Sequence, residues 1–300
     1  MIIGAIVGAT GVGKTQIGIE VARRLGAEII SVDSRQIYQG MAIGTAQPTP
    51  VQLAEIPHHL VGFLSPLESY SVASFVKDVH RLLRQFPDQK FLLVGGTGLY
   101  LQALMEGLSV LPPLDEEIRS RLMKIEERRG LPCLYKWAMK VDPIGAVVLK
   151  PGDSHRIIRC LEVFLQTGKP WSDQQGSRLG GINSFPVAWL DRDRADLYKR
   201  IDQRVESMLS AGWQEEVRDL CTQIPADSAA MQSLGYRSLI HVIAGTHPLR
   251  DVILQIQQET RNFAKRQLTW FRNKTPSTRI CLTESGEICE ISAIEKLFQK

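Results

Sequence analysis

The sequence predicts an α/β fold: a parallel sheet flanked by helices, with a small helical insertion and a helical C-terminal part. Three observations lead there. Short segments at residues 2–7, 27–32, 91–94 and 187–190, apolar except for Glu28 and Ser31, have the length and continuity of strands in a buried sheet. Between them lie stretches with apolar residues at helical spacing, and strands alternating with helices fold as crossover units on a parallel sheet. Pro112-Pro113 then opens a charge-rich, helical stretch over 115–140 that interrupts the alternation. The expected division is a core at 1–112, a helical insertion at 113–150, and at 151–300 the rest of the core with a helical C-terminal part.

Taken in order, residues 2–7 lead into a Gly-rich turn and then a periodic helix ending at Leu25. The second strand ends at Asp33. Val72, Phe75, Val76, Val79, Leu82, Leu83 and Phe86 line one helix face, with Ser71 as its cap and Pro87 closing it. Pro132 and Pro143 fall near helix ends. From Asp196 onward Ile201, Val205, Met208 and Leu209 share a face, and Gly212 is placed as that helix's C-terminal cap. Residues 174–183, with Gly and Ser, read as a flexible loop.

The chain has 300 residues, 44% of them apolar, enough for one large domain or two modest ones. No apolar run approaches the ~18 residues that span a bilayer, so no membrane association is expected. Met1 to Val7 lacks a basic start and a cleavage site and reads as a strand rather than a signal peptide. Five cysteines, an odd number without CxxC spacing, argue against disulfide frameworks and zinc sites and fit a reducing cytoplasm. A monomer is expected. The net charge of +4 is unevenly spread. Between Glu259 and Glu284 there is no acid, but there are Arg261, Lys265, Arg266, Arg272, Lys274 and Arg279, interleaved with Phe263, Trp270 and Phe271. Two readings are open: a solvated helix face, or cations for phosphates and rings for bases in a nucleic-acid contact.

Gly8-Ala9-Thr10-Gly11-Val12-Gly13-Lys14-Thr15 matches GxxxxGK[ST], between a strand and a helix, which makes the expected fold P-loop NTPase-like. Glycines let backbone N–H groups turn toward a phosphate, and the helix N-terminus adds its positive end. Lys14 reaches phosphoryl oxygens and the Thr15 hydroxyl can hold Mg²⁺. The strand at 91–94 ends in Gly95-Gly96-Thr97-Gly98, without the acid that a phosphoryl-transfer site usually places there. The ligand is therefore open: a nucleotide or another diphosphate. Asp33 and Asp191 are the acids at strand ends. Asp33 should face the same crevice as the loop, since ligands sit at the C-terminal ends of parallel strands. There it could take a proton from a nucleophile or could cap a helix or hold a metal's water. Arg156 with Arg159, and Arg200 with Arg204, project pairwise from helix faces, toward an anion or toward solvent. His58-His59 has no third ligand spaced for a metal, so packing or hydrogen bonding is expected of it.

Together these motifs resemble the tRNA dimethylallyltransferase (tRNA isopentenyltransferase) family, in its short bacterial form, over nearly the whole chain. The resemblance is carried by the loop at 8–15, Asp33 to Tyr38, Gly44-Thr45-Ala46, Pro57 to Leu60, Tyr70 to Ala73 and Val94 to Tyr100. It continues through His155-Arg156-Ile157-Ile158-Arg159, Leu161-Glu162-Val163, Arg200-Ile201 with Arg204, Leu234-Gly235-Tyr236-Arg237, and Lys265-Arg266-Gln267 with Thr269-Trp270. It implies transfer of a dimethylallyl group from dimethylallyl diphosphate to the exocyclic N6 of the adenine on the 3′ side of the tRNA anticodon, with release of diphosphate. Gly8, Thr10, Gly11, Gly13, Lys14 and Thr15 would hold the diphosphate, with Mg²⁺ on Thr15. Asp33 would be the general base, with Thr97 beside acceptor and diphosphate and Arg204 as a cation on the diphosphate. The anticodon stem-loop would meet Ser34, Arg35, Gln36, Arg119, His155, Arg156, Ile157, Ile158, Arg159, Gly235, Tyr236, Arg237, Lys265, Arg266 and Arg272. The family's usual Asp before Ile-Gly-Thr-Ala is Ala42 here, and its usual Lys before the proline is Gln47.

Two other readings compete. A P-loop small-molecule kinase would use Asp33 to activate a hydroxyl, but leaves the basic, aromatic tail idle. A nucleotide-switched RNA-binding protein uses the tail, but gives Asp33 and Thr97 nothing to do.

Overall fold

The structure, a computed structural model, describes residues 1–174, 176, 178–182, 185–282 and 287–299, without the side chains of 287–289. In chain order the elements are β1 (Ile2–Gly8), α1 (Lys14–Leu25), β2 (Glu28–Val32), α2 (Pro50–Glu55), β3 (His58–His59), α3 (Val72–Gln85), β4 (Phe91–Gly95) and α4 (Gly98–Glu106). Then come β5 (Leu108–Ser109), α5 (Glu116–Arg129), α6 (Leu131–Val141), α7 (Pro143–Val147), α8 (Ser154–Thr167) and β6 (Arg178–Leu179). The chain closes with β7 (Val187–Asp191), α9 (Arg194–Ser210), α10 (Trp213–Cys221), α11 (Tyr236–Ile243), α12 (Leu249–Lys274), β8 (Thr278–Cys281) and α13 (Glu287–Phe298).

The chain forms two units. One comprises residues 1–103 with 184–300, and the other residues 104–183. The first is built on a six-stranded sheet in the order β3-β2-β4-β1-β7-β8, parallel at every pairing. The predicted parallel sheet is thus observed. Strands β1, β4 and β7 are buried along nearly their whole length, which is why their sequences are apolar without alternation. Two further pairs were not anticipated: His58–His59 adds an edge strand and Thr278–Cys281 the opposite one. Both lack an apolar signal because an edge strand is only half covered. The histidines do as expected: His58 Nδ1 lies 2.7 Å from the Ile56 carbonyl, and His59 Nε2 2.6 Å from Glu28.

Local caps follow the sequence. Ser71 Oγ accepts from the Ser74 N–H to open α3. Asp193 begins α9 by accepting from Ala195 and Asp196, two residues earlier than the periodicity suggested. The expected C-terminal glycine of α9 is displaced by one: Ala211 takes the cap, and Gly212, at φ 98°, both follows it and begins α10. No helix among the described residues is long and apolar enough to cross a membrane.

The second unit is wider than the 113–150 insertion expected from the prolines. It includes α8, because Ile157, Ile158, Cys160 and Leu161 share a core with Leu122, Leu134, Ala138, Ala146 and Leu149. On α8, Glu162 is fully buried. Arg159 and Arg119 reach it at 2.9 and 3.3 Å, and the Asp115 N–H donates to it at 2.7 Å. The loop expected at 174–183 lies partly outside the described residues, and within it Arg178–Leu179 pairs antiparallel with Leu108–Ser109.

Candidate active site

Within the first unit, β1 lies between β4 and β7, and β4 between β1 and β2. The turns after β1, β2 and β4 therefore open side by side at the carboxyl edge of the sheet, where open parallel sheets bind ligands. A cleft of about 830 Å³ occupies that edge. Thr10, Gly11, Gly13, Lys14 and Thr15 line it from the first turn, Asp33 to Gln36 from the second, and Val94, Gly95 and Thr97 from the third. Helix α9 supplies Arg200 and Arg204, and α12 supplies Phe263, Arg266 and Gln267.

The loop has the expected form. Gly13 caps α1 at φ 111°, a conformation that a residue with a Cβ adopts only with strain. Gly8 ends β1 and is outside the lining; a Cβ there would meet the Leu190 carbonyl at 2.7 Å, so its part is to bring strands together. Lys14 Nζ donates to the Ala9 carbonyl at 2.8 Å, and Arg200 Nε to the Gly11 carbonyl at 3.0 Å. Burial, with the Arg204 guanidinium as the second cause, lowers the Lys14 pKa to about 8, while Asp33 opposes the fall. Burial likewise lowers Arg204, again opposed by Asp33. Two cations and one carboxylate, each half-buried, thus share the cleft.

Among the described residues Asp33 is the one carboxylate lining the cleft. The other strand-end acid, Asp191, is engaged: Arg279 Nη2 and Nε approach its Oδ2 at 2.6 and 2.8 Å. Asp33 does the capping left open for it, at a turn rather than a helix. Its Oδ1 accepts from the Arg35 and Gln36 N–H groups at 2.8 and 3.3 Å, a capping geometry, and the residue faces the cleft as well. Thr97 ties the neighbouring turns together, its N–H donating to Val32 and its Oγ1 accepting from the Ser34 N–H at 3.1 Å. A Mg²⁺ ion takes oxygen donors and keeps waters and substrate phosphates. The Thr15 hydroxyl in the cleft is a donor of that kind, and no group of three or more His, Cys, Asp or Glu gathers elsewhere among the described residues.

Several expected contact residues have other tasks. Ile157, Ile158 and Tyr236 are buried and offer no side chain to a macromolecule. Tyr236 donates to Glu216 at 2.6 Å, and Glu216 also accepts from the Ile43 and Gly44 N–H groups, so the tyrosine holds the 41–45 turn. Gly235 packs against Trp213. Arg119 and Arg159 are held by Glu162. Gln36 fastens its own loop, donating to the Ala46 carbonyl at 2.7 Å. Gln47, standing where the family has Lys, does the same by donating to Gln36 and Tyr38 at 2.8 Å each, and Ala42 is exposed. His155, Arg156, Arg237, Lys265, Arg266 and Arg272 are exposed as a polyanion contact requires, and Ser34 and Arg35 stand at the cleft.

The basic run is only partly the open patch it promised. Acids distant in sequence compensate its ends, Asp202 on Arg261 and Asp191 on Arg279. Phe271 is core, and Trp270 packs on Gly98. Phe263 stays partly exposed under Arg266, 5.7 Å from the ring centre. Two cleft residues, Gln267 and Ser233, lie in stretches that the resemblance implies in tRNA contact, without an individual role. Gln267 touches both the phosphate loop and the Gly96 turn, and Ser233 lines the cleft with a buried, unpartnered hydroxyl. Neither residue type announces a role at an unremarkable helical or turn position.

Fold and site define a class: a phosphate-loop enzyme whose cleft gathers cations beside one carboxylate among its described residues. Known proteins narrow it. A family model described as IPP transferase matches residues 36–274, and one described as Isopentenyl transferase matches residues 1–59. A tRNA dimethylallyltransferase of Symbiobacterium thermophilum is 44% identical over 282 residues, 93% of this chain and 88% of that one. Another, of Thermosipho melanesiensis, is 41% identical over 297 residues, 98% of each. The crystal structure of the full-length tRNA isopentenylpyrophosphate transferase from Bacillus halodurans superposes with a TM-score of 0.73 at 34% identity, covering 99% of this chain and 95% of that one. The chain belongs to the tRNA dimethylallyltransferase family.

Proposed function

We propose that the chain transfers a dimethylallyl group from dimethylallyl diphosphate to N6 of the adenine 3′ to the anticodon in tRNA. The observation that carries this is the pairing, in one cleft, of a phosphate loop and two half-buried cations with Asp33, the one carboxylate among the described residues of its lining. The target base is extruded from its stack to reach such a cleft. The N6 lone pair attacks C1 of the allyl group, the C1–O bond breaks, and diphosphate leaves with the bonding electrons. Lys14 and Arg204 stabilise the charge that grows on the departing oxygens. The attacking nitrogen becomes acidic and gives its proton to Asp33. A Mg²⁺ ion on the Thr15 hydroxyl would add positive charge at the leaving group. Nothing in this sequence of steps consumes ATP.

Labelled dimethylallyl diphosphate incubated with unmodified tRNA tests the proposal. Label is expected on one adenine, with no ATP turnover. ATP hydrolysis without transfer would return the chain to the kinase reading.

A pH dependence follows from Lys14. Its pKa near 8 in the free protein rises when a diphosphate neutralises Arg204's repulsion and pairs with the ammonium. Below pH 8 Lys14 is already charged and affinity is level. Above it, binding takes up a proton, so affinity for dimethylallyl diphosphate should fall about tenfold per pH unit until the bound-state pKa is reached. Titration calorimetry in buffers of different protonation enthalpy measures both effects. Affinity constant from pH 7 to 9.5 would remove Lys14 from the binding step.

A further inference from the structure

Helix α12 sends one polar side chain inward to the carboxyl edge of the sheet. Gln267 is 8% exposed, on the face that also buries Ala264 and Phe271. Both ends of its amide are used across the chain. Oε1 accepts from the Thr10 N–H at 2.8 Å, and Nε2 donates to the Gly96 carbonyl at 2.9 Å. Thr10 and Gly96 lie just past the last rung of the β1–β4 ladder, Val7 opposite Gly95. A glutamine amide has the donor and acceptor of a peptide group, so Gln267 continues the ladder where the two backbones diverge. Residue 96 is shaped for it: a Cβ there would stand 2.5 Å from Nε2 and 3.3 Å from the Gly8 carbonyl. Burying an amide is costly unless both ends are paired, and packing alone would be served by an apolar side chain.

The two loops it joins carry the two halves of the chemistry. Thr10 belongs to the phosphate cradle that ends in Lys14 and Thr15. Gly96 precedes Thr97, whose hydroxyl holds the Ser34 N–H beside Asp33. Taking the transfer reaction above as the basis, we propose that Gln267 is a positioning residue that sets the separation between the diphosphate cradle and the Asp33–Thr97 edge. It acts through the backbone of both loops.

The test uses the full chain with Gln267→Met, which removes both bonds, and Gln267→Glu, which keeps the shape and the acceptor but loses the donor to Gly96. With saturating dimethylallyl diphosphate and tRNA, kcat should fall roughly tenfold, since displacements under 1 Å already misalign reacting atoms. KM for each substrate should move by less than about threefold. The Thr10 amide hydrogen should exchange at least about tenfold faster in Gln267→Met. Gly96→Ala, which crowds the bridge from the other side, should lower kcat alike and add little to Gln267→Met. Should Gln267→Met fail to fold, kcat and KM of Gln267→Glu and Gly96→Ala decide alone, since Gln267→Glu keeps the Thr10 acceptor and should leave Thr10 exchange as it is. An unchanged kcat, or a loss confined to KM, overturns the proposal, as does a slower kcat of Gln267→Met with Thr10 exchange unaltered. Absence of transfer by the unsubstituted chain would instead defeat the proposed function, and Thr10 exchange would then decide alone whether the bridge exists.

Discussion

Asp33→Asn is expected to slow single-turnover transfer by ~10²–10⁴-fold, the usual contribution of a positioned general base, while affinity for dimethylallyl diphosphate and tRNA changes little. Asparagine is the informative substitution because Asp33 has two tasks. Its Oδ1 caps the Arg35 and Gln36 N–H groups, and an amide oxygen can accept both bonds. What the amide cannot do is take a proton from N6. Asp33→Ala removes cap and base together, so its loss should equal or exceed that of the Asn variant. It should also loosen the 33–36 turn, which Gln36 otherwise fastens to Ala46. Removing the carboxylate also leaves Lys14 and Arg204 without their opposing charge. That strengthens attraction for the diphosphate, so weakened diphosphate binding is not the expected cause of any slow turnover. Retention by Asp33→Asn of more than about a tenth of the wild-type rate would leave the residue with its cap alone.

The core of this fold was legible because its physics is local. Strands β1, β4 and β7 are buried on both faces, so each spells itself as an apolar run, and a loop that must turn its amides toward an anion spells itself in glycines. Asp33 was legible by position, as an acid at a strand end. What distinguished it from Asp191 was not, because Arg279 comes 88 residues later and only the parallel pairing of β7 with β8 brings the two together. The same blindness to distant partners affected the arginines. Arg119, Arg159 and Arg261 read as cations open to a polyanion, and each is held by an acid far off or one helical turn away. Gln267 shows the converse. A glutamine inside a helix is ordinary in sequence, and its meaning comes from two loops more than a hundred residues upstream.

Neutralising Lys265, Arg266 and Arg272 together, each to Gln, is expected to flatten the salt dependence of tRNA binding by about 2 in log–log slope, at roughly 0.7 per single-strand phosphate contact. At physiological salt the same loss of counterion release weakens binding roughly 50-fold. These three are chosen because no acid holds them among the described residues, whereas Arg261 and Arg279 are committed to Asp202 and Asp191. Lys265 and Arg272 are seven residues apart, hence on one stripe of α12 and about 10 Å from each other along its axis, a spacing that suits successive phosphates of a looped strand. Arg266 differs. It lies over Phe263 and lines the cleft, so it stands where the backbone of an extruded nucleotide would pass. The variant lacking only Lys265 and Arg272 should therefore lose binding with kcat intact, and adding Arg266→Gln should lower kcat too. Dimethylallyl diphosphate affinity separates the sites, because Lys14 and Arg204 remain in every variant and should keep it within about threefold. Arg261→Gln is the control. Its ion pair to Asp202 ties α12 to α9, so it should cost stability and leave the salt slope nearly unchanged. A triple variant with the wild-type slope would make the outer face of α12 a solvated surface. RNA contact would then fall to Arg35, Arg156 and Arg237, three of the exposed arginines outside that helix.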